Sequence, residues 1–352
     1  RFMIIELGKY KDKVVKYDLD GSMNGHILIN GKSGSGKTVQ AQKIMLEMVK
    51  QGGTVLAFDI HQTLSENQIL EKYQTDFMKY TNNLNVYHDG IVCDLLEPMV
   101  YPDGEKEYVQ DAISAITDVI SRTFSLKCRQ QATLRQAINC VVENEGYEKK
   151  GFTAIGEELA SMENQVAEGL REKLYALFVH NIFRPGKWMV EENKINIVRL
   201  GKFDLKTQEL VAEILLAYIW RLANVNYFTE NGLYIFVDEC QDMHSGKDSA
   251  LAQILSEGRK FNANLLLATQ QIEQGSSSIV QQRLAQCGLI LYFQPNINQA
   301  ATVAKRISMN DGEGWRNVLK TLKRGEFVAA GDLIVDGKLI DRPLKVSAYE
   351  ED

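Results

Sequence analysis

The sequence predicts an α/β fold whose central sheet is mostly parallel and covered by helices on both faces. Three observations predict it: short apolar runs alternate with helical patterns along most of the chain, an early run passes directly into a glycine-rich loop and a helix, and a later, wholly apolar run ends in two carboxylates. Strands of such a sheet are buried on both faces and need no polar alternation, and ligands gather at their carboxyl ends.

Residues 3–7 and 14–19 read as short strands on either side of a polar turn region at 9–13. The compact run at 26–30 is the next strand. The helix over 37–51 follows it, with Ile44, Met45 and Met48 on one face and Gly52-Gly53 as its stop. Residues 54–59 form a buried strand and 84–88 another. From 105 to 179 the pattern is helical, with Val109, Ala112, Ile113, Ile116, Val119 and Ile120 recurring at helical spacing. Strand signal resumes at 195–199, and an apolar helix over 207–223 leads to strands at 233–237, 264–269 and 289–293. The stretch 326–348 is β-rich, turning at Gly331-Asp332 and Asp336-Gly337. The organisation expected is an amino-terminal β segment at 1–25, a core at 26–100 and 190–352, and a helical insertion at 101–189.

At 352 residues the chain can bury a large core without disulfides or structural metal. Its 45% hydrophobic and 24% charged residues are ordinary for a globular protein and argue against disorder or a coiled coil. Five cysteines, Cys93, Cys128, Cys140, Cys240 and Cys287, are scattered with no Cys-x-x-Cys pair, which fits a reducing cytoplasm. The longest apolar helical stretch, 210–225, carries Glu213 and Arg221 and is too short and charged to cross a bilayer, so no membrane insertion is expected. A net charge of −6 excludes a surface that coats nucleic acid all over, yet leaves room for a basic pore.

Gly31-Lys32-Ser33-Gly34-Ser35-Gly36-Lys37-Thr38 matches the phosphate-binding loop in full, between a strand and a helix as that motif requires. Glycines let the backbone curl with its N–H groups inward, and the helix amino terminus adds a favourable dipole. Lys37 would reach the β- and γ-phosphates of ATP, the Thr38 hydroxyl would ligate Mg²⁺, and Val39 continues the nucleotide-contacting run. The second element, Leu233-Tyr234-Ile235-Phe236-Val237-Asp238-Glu239, delivers two carboxylates at a strand end. Asp238 suits the outer shell of Mg²⁺ and Glu239 the polarising of a water against the γ-phosphate. By itself this pair reads more readily as a strand cap followed by a solvated Glu, and its pairing with the phosphate-binding loop is what favours hydrolysis. The strand at 264–269 ends in Gln270 and Gln271, where an amide could sense the γ-phosphate.

Val237-Asp238-Glu239-Cys240-Gln241-Asp242, then Glu257-Gly258-Arg259-Lys260-Phe261, then Leu265-Leu266-Leu267-Ala268-Thr269-Gln270-Gln271 resemble the HerA/FtsK superfamily of P-loop ATPases in order and spacing. Val55-Leu56-Ala57-Phe58-Asp59, Ile195-Asn196-Ile197-Val198 and Leu322-Lys323-Arg324-Gly325-Glu326-Phe327-Val328 fit the same family, so the resemblance spans nearly the whole chain. It implies a RecA-like P-loop NTPase with a central mostly parallel sheet, a helical insertion and C-terminal β hairpins. It implies that Lys37, Thr38, Asp238 and Glu239 form the hydrolytic centre and that Gln270 is the sensor glutamine. Arg259 matches an arginine that reaches a neighbouring subunit's nucleotide, where a guanidinium would neutralise charge on the γ-phosphoryl group. The β-barrel typical of HerA is not recognisable before the phosphate-binding loop, and the membrane helices of many FtsK-type and conjugative proteins are absent.

The function implied is an ATP-dependent DNA translocase, a homo-hexameric ring with double-stranded DNA in its central pore. A likeness to HerA-type ATPases of antiphage defence operons adds a nuclease or effector as partner. Two alternatives stand beside it: a type IV secretion-type ATPase, and a nucleotide-gated scaffold that activates an effector. Loops expected to line the pore are 241–249, with His244 and Lys247, and 272–278, with Gly275-Ser276-Ser277-Ser278; hydroxyls and backbone N–H groups there would hold phosphates without reading bases. Arg283, Lys305 and Arg306 read equally as inter-subunit contacts and as a charged helix face. Asp59 with His61 lacks a third ligand nearby and is not expected to bind metal.

Overall fold

The computed structural model describes residues 3–228, 232–243, 246, 249–270 and 282–348. Thirteen strands form one sheet, in the order β14-β13-β2-β1-β15-β12-β11-β3-β10-β9-β4-β8-β5. The parallel half runs from β11 (Leu289–Phe293) through β3 (Ile27–Asn30), β10 (Ala263–Thr269), β9 (Leu233–Val237), β4 (Val55–Asp59) and β8 (Ile195–Arg199) to β5 (Thr81–Asn85). The antiparallel half continues from β11 through β12 (Glu326–Gly331), β15 (Leu344–Ser347), β1 (Ile4–Tyr10), β2 (Lys13–Asp18) and β13 (Leu333–Val335) to β14 (Lys338–Ile340). The two short strands β6 (Ile91–Val92) and β7 (Phe183–Arg184) pair separately.

Strands of the parallel half divide their side chains between two cores. Ile27 and Ile29 of β3 and Tyr234 and Phe236 of β9 face one, with the helix Lys37–Lys50 and the amino-terminal hairpin. Leu28 of β3 and Leu233, Ile235 and Val237 of β9 face the other, with the long helix Leu205–Asn224 and the helices between 109 and 179. This two-sided burial is why both strands are apolar throughout.

Helix boundaries follow local chemistry. The first helix stops at Lys50, where Gly53 N–H returns to the Met48 carbonyl at 2.8 Å and Gly52 takes φ 81°. The long helix starts two residues earlier than its apolar pattern, because the Asp204 side chain accepts from the N–H groups of Lys206 and Thr207. The segment expected to be helical resolves into six helices between Val109 and Val179; residues 105–108 stay non-helical, with Lys106 bridging to Val100.

Two expectations shift. The strand expected at 84–88 is β5, Thr81–Asn85, and Val86–Asp89 is a short helix. Asn82-Asn83 carries little strand propensity, but pairing with β8 overrides it, and Asn82 donates to Asn196 while Asn83 accepts from Arg199. The two amino-terminal strands are part of the main sheet, β1 against β15 and β2 against β13.

The segment leading into the insertion helices is tied to the long helix by a buried cation. Arg221 donates to Glu107 and to the carbonyls of Leu95 and Glu97, at 2.6 Å and 2.9 Å for the carbonyls, and both members of the ion pair are 8% exposed.

His26, at the head of β3, is buried; its Nδ1 accepts the Leu265 N–H at 3.0 Å and its other nitrogen faces the Ile254 and Leu255 carbonyls. Burial pushes its pKa down from 6.5 to about 4. The unfolded chain therefore binds the extra proton across that window, and stability, complete above 6.5, falls towards pH 4 by up to about 3 kcal/mol. In urea unfolding near pH 7 and near pH 4.5, His26→Gln should lose that part of the pH dependence; an equal slope in both proteins would remove His26 as its source.

Candidate active site

The loop after β3 is suspended between the ends of its two neighbours: Gly31 N–H donates to Thr269 O at 3.2 Å and Lys32 N–H to Gln294 O at 2.8 Å. At Gly31 a Cβ would lie 2.5 Å from the Cβ of Phe293, so the strand can enter the loop only as glycine. Gly36 takes φ 109° and opens the helix, whose first turn carries neither a side-chain cap nor an acidic residue. Those helical N–H groups need acceptors, and a bound phosphate would supply them.

Lys37 lies in this first turn, 5% exposed, with Nζ 3.2 Å from Lys32 O. Burial lowers its pKa, against the opposing pull of Glu239 and Asp238. Asp238, 7% exposed at the end of β9, shifts the other way: burial raises its pKa, the Glu239 charge adds to this, and Lys37 opposes it. In both groups desolvation outweighs the attraction of the protein's own charges. A polyanion beside Lys37 and a divalent cation beside Asp238 and Thr38 are the compensating charges this donor set fits.

Glu239 takes a left-handed backbone, φ 50°, and both its oxygens are held. Oε1 accepts from Gln270 Nε2 at 2.6 Å and Oε2 from Gln241 Nε2 at 2.7 Å, while Gln241 Oε1 accepts from Thr269 Oγ1 at 2.6 Å. A carboxylate oxygen with one donor keeps a free lone pair, so a fixed Glu239 can still accept from a water.

These groups meet in one cavity of about 290 Å³, lined by Ser33, Gly34, Gly36, Lys37, Thr38, Val39, Asp238 and Glu239 among others. Asp238 and Glu239 also line a smaller cavity of about 140 Å³ on the side of Ile60 and His61. Of the remaining expected residues, Gln270 holds Glu239, and Arg259 is exposed in the turn Gly258–Phe261, away from the lining of its own chain's cavity. Gln271, His244, Lys247 and the 272–278 loop lie outside the described residues.

The cavity also contains residues to which sequence reasoning assigned no role. Gln42 stands one turn beyond Thr38, a spacing that could have flagged it, and its Nε2 holds the loop after β4 through the carbonyls of Thr63 and Gln68 at 3.0 Å and 3.3 Å. His61 and Arg324 complete the wall. Asp59 is engaged by Arg199, and no metal-binding group of three His, Cys, Asp or Glu occurs among the described residues. All five cysteines are free, and no described helix is long and apolar enough to cross a membrane.

A family model described as an AAA-like domain matches residues 14–328. A curated relative, a probable helicase of Methanocaldococcus jannaschii, is 22% identical over 349 residues, covering 92% of this chain and 63% of its own length, so this chain spans less than two thirds of that relative. Among solved structures, VirB4 of Thermoanaerobacter pseudethanolicus superimposes with a TM-score of 0.72 at 18% identity, over 97% of this chain and 95% of that one. The plasmid coupling protein TrwB, solved with a non-hydrolysable ATP analogue, gives 0.57 at 13% identity over 92% and 85%. At these identities the structural likeness is one of fold.

Proposed function

The chain belongs to this AAA-like family of P-loop ATPases, of the HerA/FtsK type, and from that we propose that it hydrolyses ATP with Mg²⁺ as a subunit of a homo-hexameric ring that moves double-stranded DNA through its centre. Its fold is the RecA-like P-loop NTPase fold. In this reading residues 26–100 and 190–352 are the motor core, 1–25 its β flank and 101–189 a helical insertion.

The observation that carries the reading is the meeting of Lys37, Asp238 and Glu239 in one cavity, with Glu239 held by Gln241 and Gln270. The backbone of Gly31 to Thr38 would cradle the phosphates and Lys37 would pair with their outer charge. Mg²⁺ held by Thr38 and Asp238 would neutralise charge on the β- and γ-oxygens. Glu239 would orient the attacking water, and Gln270, which bonds Glu239 and directly follows β10, would pass loss of the γ-phosphate to the following loop. Arg259, exposed on its own chain, would serve the neighbouring subunit's site. The analogue named for TrwB is support for a nucleotide in this cavity.

ATP turnover of the chain, measured with and without duplex DNA at two salt concentrations, tests the motor part. Stimulation that weakens as salt rises is expected, since contacts to phosphates release counterions; Lys247→Glu should reduce that stimulation. Turnover indifferent to DNA would leave an ATPase without the DNA coupling, as expected of a secretion-type enzyme.

A further inference from the structure

We infer that Arg324 binds nucleotide in cis and grips the ADP part, its α- and β-phosphates, on the flank of the site opposite Glu239. The inference rests on the nucleotide reading of the cavity and deepens it. Arg324 lines the same cavity as Lys37 and Thr38, is exposed, and has no hydrogen bond or ion pair among the described residues.

Its backbone, by contrast, is fixed to the phosphate-binding loop. Gly325 N–H donates to Ser35 O at 3.0 Å, and a Cβ on Gly36 would meet Gly325 N at 3.1 Å. The turn is closed by Glu326 N–H to Lys323 O at 3.1 Å and by Lys323 N–H to the Glu326 carboxylate at 2.8 Å. Ala348 N–H then donates to Gly325 O at 2.9 Å, and Lys345 pairs with Glu326 at 2.9 Å, which ties the turn to β15. The fixed turn sets where the Arg324 backbone stands beside the phosphate-binding loop, so only the side chain's own rotamers remain to be ordered when it meets a ligand.

Sheet order sets which part of the ligand it meets. Arg324 precedes β12, which lies beyond β11 on one side of β3, whereas Asp238 and Glu239 end β9, beyond β10 on the other side. If the γ-phosphate points to the carboxylate flank, where water is to be oriented, the α- and β-phosphates lie towards Arg324. An arginine suits them because its planar fork stays charged and binds two oxygens at once.

The test is the affinity of full-length protein for Mg·ADP and for a Mg-bound non-hydrolysable ATP analogue, in the wild type, Arg324→Ala and Arg324→Lys, with thermal melting to confirm folding. Arg324→Ala should weaken both ligands by the same factor, about tenfold to a hundredfold, with Arg324→Lys in between. Unchanged affinities in a wild type that binds would overturn the inference alone. Loss confined to the ATP analogue would place the guanidinium at the γ-phosphate and overturn it too. A wild type that binds neither ligand would remove the nucleotide reading and this inference together.

Discussion

Glu239→Gln is expected to lower ATP turnover by about a hundredfold to ten-thousandfold, the usual contribution of a positioned acid–base group, while nucleotide binding survives. The substitution keeps the side chain's size, and an amide can still accept from one of Gln241 and Gln270, so the local geometry has a means of persisting. What it loses is the anionic acceptor that draws a proton from water. Lys37→Ala should do the reverse, removing affinity first, because Lys37 is the buried cation of the loop itself. Single-turnover hydrolysis alongside nucleotide titration separates the two. Glu239→Gln turnover within a few-fold of wild type would show that another group orients the water.

The second large effect concerns stability. Arg221→Ala should destabilise the fold by about 3–5 kcal/mol, because it strands the Glu107 carboxylate in the interior and takes a donor from the carbonyls of Leu95 and Glu97. The exposed pair Lys50–Asp76 is the control: Lys50→Ala should leave the urea midpoint nearly unchanged, since water screens that pair. Replacing both Arg221 and Glu107 by apolar residues should recover part of the loss, because no charge is then left unpaired. Urea midpoints at constant m-value measure all of these. An Arg221→Ala cost as small as that of Lys50→Ala would mean that the insertion is held by apolar packing alone.

Much of the parallel half was legible because its signals are local. A Gly31 to Thr38 loop between an apolar strand and a helix specifies its own backbone, and β9 is apolar throughout because both its faces are buried. β5 was misplaced because Asn82 and Asn83 become strand residues only through their partners on β8, which a window of sequence does not contain. The amino-terminal strands were legible as strands, but not their membership of the main sheet, which depends on β15 and β13 from the far end of the chain.

The site divides along the same line. Sequence alone pointed to Lys37, Thr38, Asp238 and Glu239 as the candidate hydrolytic residues, since residue type and spacing are what a phosphate loop and a carboxylate strand end require. Only the tertiary structure decided that Gln270 and Gln241 grip Glu239 from two sides, that Gln42 holds the loop after β4, and that Arg324 shares the cavity with Lys37. Hydrogen bonds and desolvation act through space at a few ångströms, so partners far apart along the chain acquire a role only when the sheet order sets them side by side.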